Sequence, residues 1–222
     1  MHQLSEPAIL YFGTPVVLIS TVNEDHTFNL APMSSIFWLG WRCMIGLGSA
    51  SKTTANLIRT RECVLNLPAV HQADVVNRLA LTTGADPVPA SKQKRGYRFV
   101  PNKFETAGLE PVPSLAVSAP RAGTCPVQLE ARVVAIHRMG EEDEQQRGRL
   151  VSLELQILKV HLDAAILMDG YPNRVDPDKW RPLIMSFQEF YGLGQKVDTS
   201  VLASIPEDLY RMPQSKNAGA IS

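Results

Sequence analysis

Two runs in the second half of the chain limit its possible folds more than any other feature: "CPVQLEARVVAIHRM" and "RLVSLELQILKVHL", separated by "GEEDEQQRG". In the first, Val127, Leu129, Ala131, Val133 and Ala135 alternate with mostly polar neighbours; in the second, Val151, Leu153, Leu155 and Ile157 do the same. A period of two places these side chains on one face of a strand. The charged stretch between them cannot enter a core, so the runs form one long antiparallel hairpin with a solvated tip. Glu130 and Glu154 look like a carboxylate pair on this hairpin and are expected to face solvent or a partner chain.

The rest of the chain is read around that hairpin. "PVVLISTV" (15–22) and "TFNLAP" (27–32) flank the polar turn "NEDH" and form a second hairpin. "IFWLGW" and "RCMIGLG" form another strand pair or one bent strand, with Gly40 as a candidate bulge. Over 52–61 the period changes to helical, with Ser51 as N-cap. "CVLNL" returns to strand, and "HQADVVNRLALT" (71–82) predicts a second helix. Residues 83–103 hold several Pro and Gly and few apolar residues, which predicts a long excursion of the kind that is often functional. Ser204 and Glu207 stand at capping-box spacing and predict a short C-terminal helix, with a frayed "SKNAGAIS" after it. No linker divides the chain, so 1–222 is expected to be a single domain with a C-terminal extension from about 195. Many short strands with a few helices make it mainly β, an antiparallel barrel.

Charge narrows the partners. Lys plus Arg equals Asp plus Glu at 22 each, so no general field draws the chain to nucleic acid or an anionic membrane. Any anion must be held by a few placed groups. No apolar run approaches the roughly 20 residues that span a bilayer, and the N-terminus shows no signal-peptide pattern. Three cysteines without a Cys-x-x-Cys pair predict free thiols, no metal site and a reducing, cytoplasmic location. The chain has no Gly-x-Ser-x-Gly elbow, His-Glu-x-x-His, Walker loop or Gly-x-Gly-x-x-Gly.

Two stretches remain where chemistry can reside. "NLAPMSSIFW" (29–38) sets Asn29, Ser34 and Ser35 beside Phe37 and Trp38, a mixture suited to a planar heteroaromatic ligand. A strand end with a turn at Ala-Pro-Met-Ser accounts for the same residues. "SASKTT" (49–54) puts Lys52 and hydroxyl side chains at a helix N-terminus, which favours an anion such as a phosphomonoester. Simple capping by Ser51 with a solvated Lys52 explains it equally well.

Taken in order, "PVVLISTVNEDHTFNLAPMSSIFWL", "SASKTTANLIRTRECVLNLP", "NKFETAGLEPVPS", "CPVQLEARVVAI" and "ILKVHLDAAIL" resemble the flavin reductase-like family of FMN-binding split barrels, over roughly residues 10 to 195. The resemblance implies a six-stranded antiparallel Greek-key barrel that dimerises, with FMN at or near the interface and NADH or NADPH as co-substrate. It implies that Asn29, Ala31, Pro32, Met33, Ser34, Ser35 and Phe37 line the isoalloxazine ring. Ser49, Ser51, Lys52 and Thr53 would hold the phosphate, with Asn56 on the first helical turn. His161 would lie near the flavin or nicotinamide, able to donate a hydrogen bond, and Tyr191 close to the cofactor; Lys103 and Phe104 resemble a loop beside it. The implied activity is hydride transfer from NAD(P)H to flavin. A non-catalytic FMN carrier or sensor fits the same phosphate residues, and related split barrels bind haem or act on pyridoxamine phosphate.

Overall fold

The computed structural model describes residues 1–210. Its centre is a seven-stranded antiparallel sheet curled into a barrel, formed by β1 (Val17–Val22), β2 (Phe28–Met33), β3 (Ile36–Leu39), β4 (Arg42–Gly48), β5 (Glu62–Leu67), β6 (Val127–Met139) and β7 (Leu150–Leu162). The order is β2-β1-β5-β6-β7-β4-β3, so β2 and β3 are the two edges although they follow each other in the chain. The barrel is split there, and only Ser34 and Ser35 cross the gap. The seventh strand is the short β3; Gly40, at φ +59°, turns the β3–β4 hairpin and is not a bulge.

Alternation places the cores as read, except that a second slip after Val133 takes Ala135 out of the barrel cluster and Ile136 packs against it instead. Val127, Leu129, Ala131 and Val133 of β6 meet Val151, Leu153, Leu155 and Ile157 of β7 inside the barrel, with Ile19, Ile45 and Leu65. Burying a side chain of this size contributes about 1.5–3 kcal/mol, so this cluster dominates the fold. The β6–β7 register slips between Glu130 and Ala131, with Leu158 skipped, and this carries His161 to the outer face where alternation already sets Gln128 and Glu130. That face carries a second core, where Leu18 and Leu30 pack under α2 (Ala73–Leu79) and α4 (Lys103–Ala107).

Helix α1 (Lys52–Thr60) joins β4 to β5 and drives Leu57 into the barrel. It ends at Arg61 in the left-handed region, φ +59°, with its N–H returned to the Leu57 carbonyl. The second helix stops at Leu79, before the expected 82, because Ala80 turns extended and Leu81 has positive φ. The 83–103 excursion carries one helical turn, α3 (Ala90–Gln93), and a short parallel pairing of Thr82–Thr83 with Arg98–Phe99. At the C-terminus, Val201–Ser204 and Glu207–Tyr210 are 3-10 turns. The expected capping box does not form: the Ser204 hydroxyl donates backward to the Val201 carbonyl, and Pro206 separates the turns. The "SKNAGAIS" segment lies outside the described residues. No helix among the described residues is long and apolar enough to cross a membrane. Cys43, Cys63 and Cys125 are free and buried, and burial pushes the Cys43 and Cys125 thiols up to about 12.

Candidate functional site

The mouth of α1 is built as its sequence suggests. Ser51 is extended and accepts the Thr54 N–H at 3.0 Å, while the Thr54 hydroxyl donates to the Gly48 carbonyl at 2.9 Å. An α-helix leaves its first N–H groups without intrahelical partners, and the cap takes only one of them. Lys52 stands at this mouth, paired with the exposed Glu24 at 2.5 Å, and its hydrogen bond holds that carboxyl below the usual range. Beside it the Ser49 hydroxyl is buried without a partner. A dianion placed here meets a full charge, helix N–H groups and an unspent hydroxyl.

Asn29, Thr53 and Asn56 are arranged differently from the expectation. All three are buried, and their side chains bond each other and the β1–β2 hairpin, except that Asn56 Oδ1 is buried without a partner. Asn29 Nδ2 donates to Thr53 Oγ1 at 3.0 Å; Asn56 Nδ2 donates to Thr21 Oγ1 at 2.9 Å and to Asn23 Oδ1 at 2.8 Å. They lie on inward-facing positions, so they fasten α1 to the hairpin from beneath and do not present their side chains outward. Buried amides that satisfy one another stiffen such a joint.

From Asn29 the open edge of β2 runs through Ala31, Pro32 and Met33, all half-buried, to Ser34 and Ser35 at the split. The Ser35 carbonyl accepts the Gly46 N–H at 2.8 Å, and its hydroxyl lies 2.8 Å from the Tyr11 hydroxyl. Phe37, on the other edge, is 61% exposed. The Trp38 indole N–H is buried without a partner. An edge strand offers a row of unpaired backbone donors and acceptors. Here that row leads into the α1 mouth through the Asn29–Thr53 contact, so a planar heterocycle with a phosphate tail matches the groups available.

Two expected residues are not brought to this edge. Residue pairing runs Pro32 to Leu18, Leu18 to Asn66, Asn66 to Gln128 and Gln128 to His161. His161 is therefore four strands away, roughly 19 Å along the barrel wall at the usual strand spacing. The start of β7, not its end, lies by α1, since Leu150 pairs with Gly48. Tyr191 sits in a separate small sheet formed by Phe12–Pro15, Ile184–Ser186 and Glu189–Tyr191, and is exposed.

His161 has a partner that sequence reasoning placed elsewhere. Glu130 is fully buried, not solvent-facing. Its carboxylate accepts the Leu115 and Ala116 N–H groups at 2.9 and 2.5 Å, and His161 Nε2 lies 2.7 Å from it. Burial alone would push this carboxyl up; the hydrogen bonds from Leu115, His161 and Ala116 outweigh burial and hold it below its usual value. With Nε2–H spent on a carboxylate, a neutral His161 presents Nδ1 as an acceptor, the reverse of the expected donor role. Glu154, by contrast, is half-exposed and pairs with Arg42 at 2.6 Å. Alternation already sets Glu130 on the outer face; the loop that covers it through Leu115 and Ala116, and the register slip that brings His161 beside it, leave no mark in the sequence pattern.

The excursion docks on the α1 mouth. A Cβ on Gly84 would lie 2.7 Å from Asn29 Oδ1 and 3.3 Å from the Lys52 stem, so glycine permits this approach. The adjoining Thr82 and Thr83 hydroxyls accept from Lys103 and Lys92 at 2.5 and 3.3 Å. Lys103 is 1% exposed. Phe104, on the same turn, faces Phe28 edge-on and belongs to the outer core. No cluster among the described residues can hold a metal ion.

The model of the family described as "Flavin reductase like domain" matches residues 9–170. The chain is 38% identical over 192 residues to the protein YdfE of Bacillus subtilis (strain 168), covering 86% of this chain and 89% of the relative. Among solved structures it resembles flavoredoxin of Desulfovibrio vulgaris (Miyazaki F), with TM-score 0.72 and 19% identity over 91% of this chain and 99% of that one. It also resembles an FMN-binding domain of a flavin reductases-like enzyme from Shewanella baltica OS155, with TM-score 0.60 and 17% identity over 84% and 90%. The barrel split between β2 and β3, the capped helix beside that split and the match over most of the chain agree: the protein belongs to the flavin reductase-like family.

Proposed function

We propose that the protein binds FMN and passes hydride to it from NADH or NADPH. The observation that carries this reading is the continuity of one open strand edge with one helix mouth, joined by Asn29 and Thr53. FMN suits the residues present. The buried, unpartnered Ser49 hydroxyl and the Lys52 amine, held by an exposed carboxylate that an incoming dianion replaces, both await an anion. When bound, FMN supplies the redox chemistry by accepting two electrons as hydride.

The chain supplies position. Ser49, Ser51, Lys52 and the first N–H groups of α1 hold the phosphate. Ala31, Pro32, Met33, Ser34, Ser35 and Phe37 line the ring, and the nicotinamide stacks on its open face, where proximity supplies most of the rate. His161 lies too far along its own barrel wall to reach this ring. In a homodimer with the ring near the interface, it serves the site of the other copy. There Nδ1 accepts from the nicotinamide carboxamide, with Nε2 anchored by Glu130. Tyr191 has a comparable place on the exposed face. Apolar exposure around the split supports such a dimer: Phe37, Leu39 and Trp41 of one hairpin all stand in solvent in the single chain.

The test is anaerobic. Protein loaded with FMN is mixed with NADH or NADPH, and flavin absorbance is followed. Bleaching much faster than that of free FMN is expected. FMN that binds but stays oxidised with both nucleotides replaces this reading with a carrier or sensor, for which the anchoring of His161 by Glu130 would be purely structural.

A further inference from the structure

Beyond the phosphate place at α1, the excursion gathers positive charge that nothing in the mechanism uses. Lys103, on the first turn of α4, is almost fully buried, and its amine meets the Thr82 hydroxyl. Lys92, half-buried on α3, reaches the Thr83 hydroxyl at 3.3 Å and lies 5.4 Å from the Tyr97 ring centre. Arg98 pairs with Thr82 in the short parallel sheet and is exposed. The charges that act on Lys103 are those of Lys92 and Arg98, both of its own sign. Burial pushes its amine down to about 8, and the repulsion adds to that; Lys92 is lowered too, by burial and then by Arg95.

A buried ammonium is ordinarily paired, because removing it from water costs several kcal/mol. Here the excursion's one carboxylate, Asp86, is exposed and exerts no resolved effect on the lysines. Two threonine hydroxyls and three cations are thus gathered in this segment, and its one carboxylate does not offset them. Its position is informative: Gly84, the next residue after Thr82 and Thr83, touches the stem of Lys52. The segment that bears Thr82 and Thr83 therefore runs directly up to the α1 mouth.

We propose that Thr83, Lys92 and Arg98, backed by Lys103, form a second phosphoryl site that takes the diphosphate of a dinucleotide. The inference rests on the flavin reading for the first phosphate. Lys92 and Arg98 contact the anion, and the buried Lys103 adds attraction from a low-dielectric position where a charge acts more strongly. The same chemistry belongs to a flavin dinucleotide and to a nicotinamide dinucleotide.

The experiment compares dissociation constants for FMN, FAD, NADH, NADPH and inorganic pyrophosphate in the parent protein and in K92Q, R98Q and K103M. K92Q and R98Q should weaken pyrophosphate and at least one dinucleotide about tenfold while leaving FMN within about twofold. Loss confined to FAD assigns the diphosphate to flavin; loss confined to NADH and NADPH assigns it to the nicotinamide nucleotide. Equal loss of FMN and the dinucleotides would merge the cluster with the Lys52 site and overturn the proposal. So would unchanged binding of every diphosphate. If the parent protein fails to bind FMN, the flavin reading fails by itself, and pyrophosphate still tests the cluster. Should K103M not fold, the two more accessible variants carry the test.

Discussion

Lys52 and Glu130 show how differently two charged residues can be used. Lys52 is held by a single exposed carboxylate, so little is lost when a phosphate replaces Glu24. Replacing Lys52 by alanine should weaken FMN by roughly tenfold or more and leave riboflavin, which lacks the phosphate, nearly unchanged. Fluorescence titration of both flavins reads the difference, and equal losses would remove the phosphate assignment. Glu130 instead anchors three donors in the interior. Glu130→Gln, which leaves the Leu115 and Ala116 N–H groups with poorer acceptors, should cost about 3 kcal/mol in urea unfolding. The sign with pH follows from a lowered folded-state value. Its stabilisation is complete above the usual carboxyl range and fades as pH falls below that range, so the variant should show a flatter acid limb.

At the scale of elements, α1 and α4 place similar lysines in opposite circumstances. The α1 mouth is capped by Ser51 and keeps Lys52 partly in solvent. The first turn of α4 is pressed against the excursion, so Lys103 is enclosed with Lys92 and Arg98 facing it. Its folded-state value of about 8 lies below the ordinary 10.5. Between these values the unfolded chain holds more protons, so this lysine makes stability rise with pH over that window. Below about 8 it is charged in both states and its cost is complete. Lys103→Met should be more stable than the parent at pH 7 and should flatten the rise between pH 8 and 10.5, as read by chemical denaturation across that range. An unchanged slope would mean that Lys103 is solvated in solution.

For the whole molecule, the separation of His161 from the ring edge becomes the main consequence of the barrel. Three strands of wall lie between them, so one chain does not complete the proposed site. Two copies related by a twofold axis place equivalent surfaces against each other, which lets each lend His161 to its neighbour. Lys52→Ala and His161→Ala chains, each slow in flavin reduction, should then complement one another. In a random mixture half the dimers are mixed, and each carries one intact site, so about a quarter of the parent activity should return. No recovery on mixing, with dimers present by sedimentation, would place His161 in its own chain's site or outside catalysis.

The sequence by itself determined the hairpins, the barrel interior and the capped helix, because these follow from local periodicity and local hydrogen bonding. The alternation from Val127 and from Val151 could face only one core, and Ser51 could cap only the helix that starts next to it. The capped α1 mouth proposed to hold the phosphate was legible for the same reason, since its groups are neighbours in the chain. The tertiary structure alone decided what depends on register and docking. A one-residue slip carried His161 to the outer face beside Glu130, and inward-facing positions turned Asn29 to Thr53 and Asn56 to Thr21 and Asn23. Excursion packing set Gly84 against Lys52 and gathered Lys92 and Lys103 on the neighbouring Thr83 and Thr82. Such contacts join residues tens of positions apart, and no local pattern encodes which of them meet.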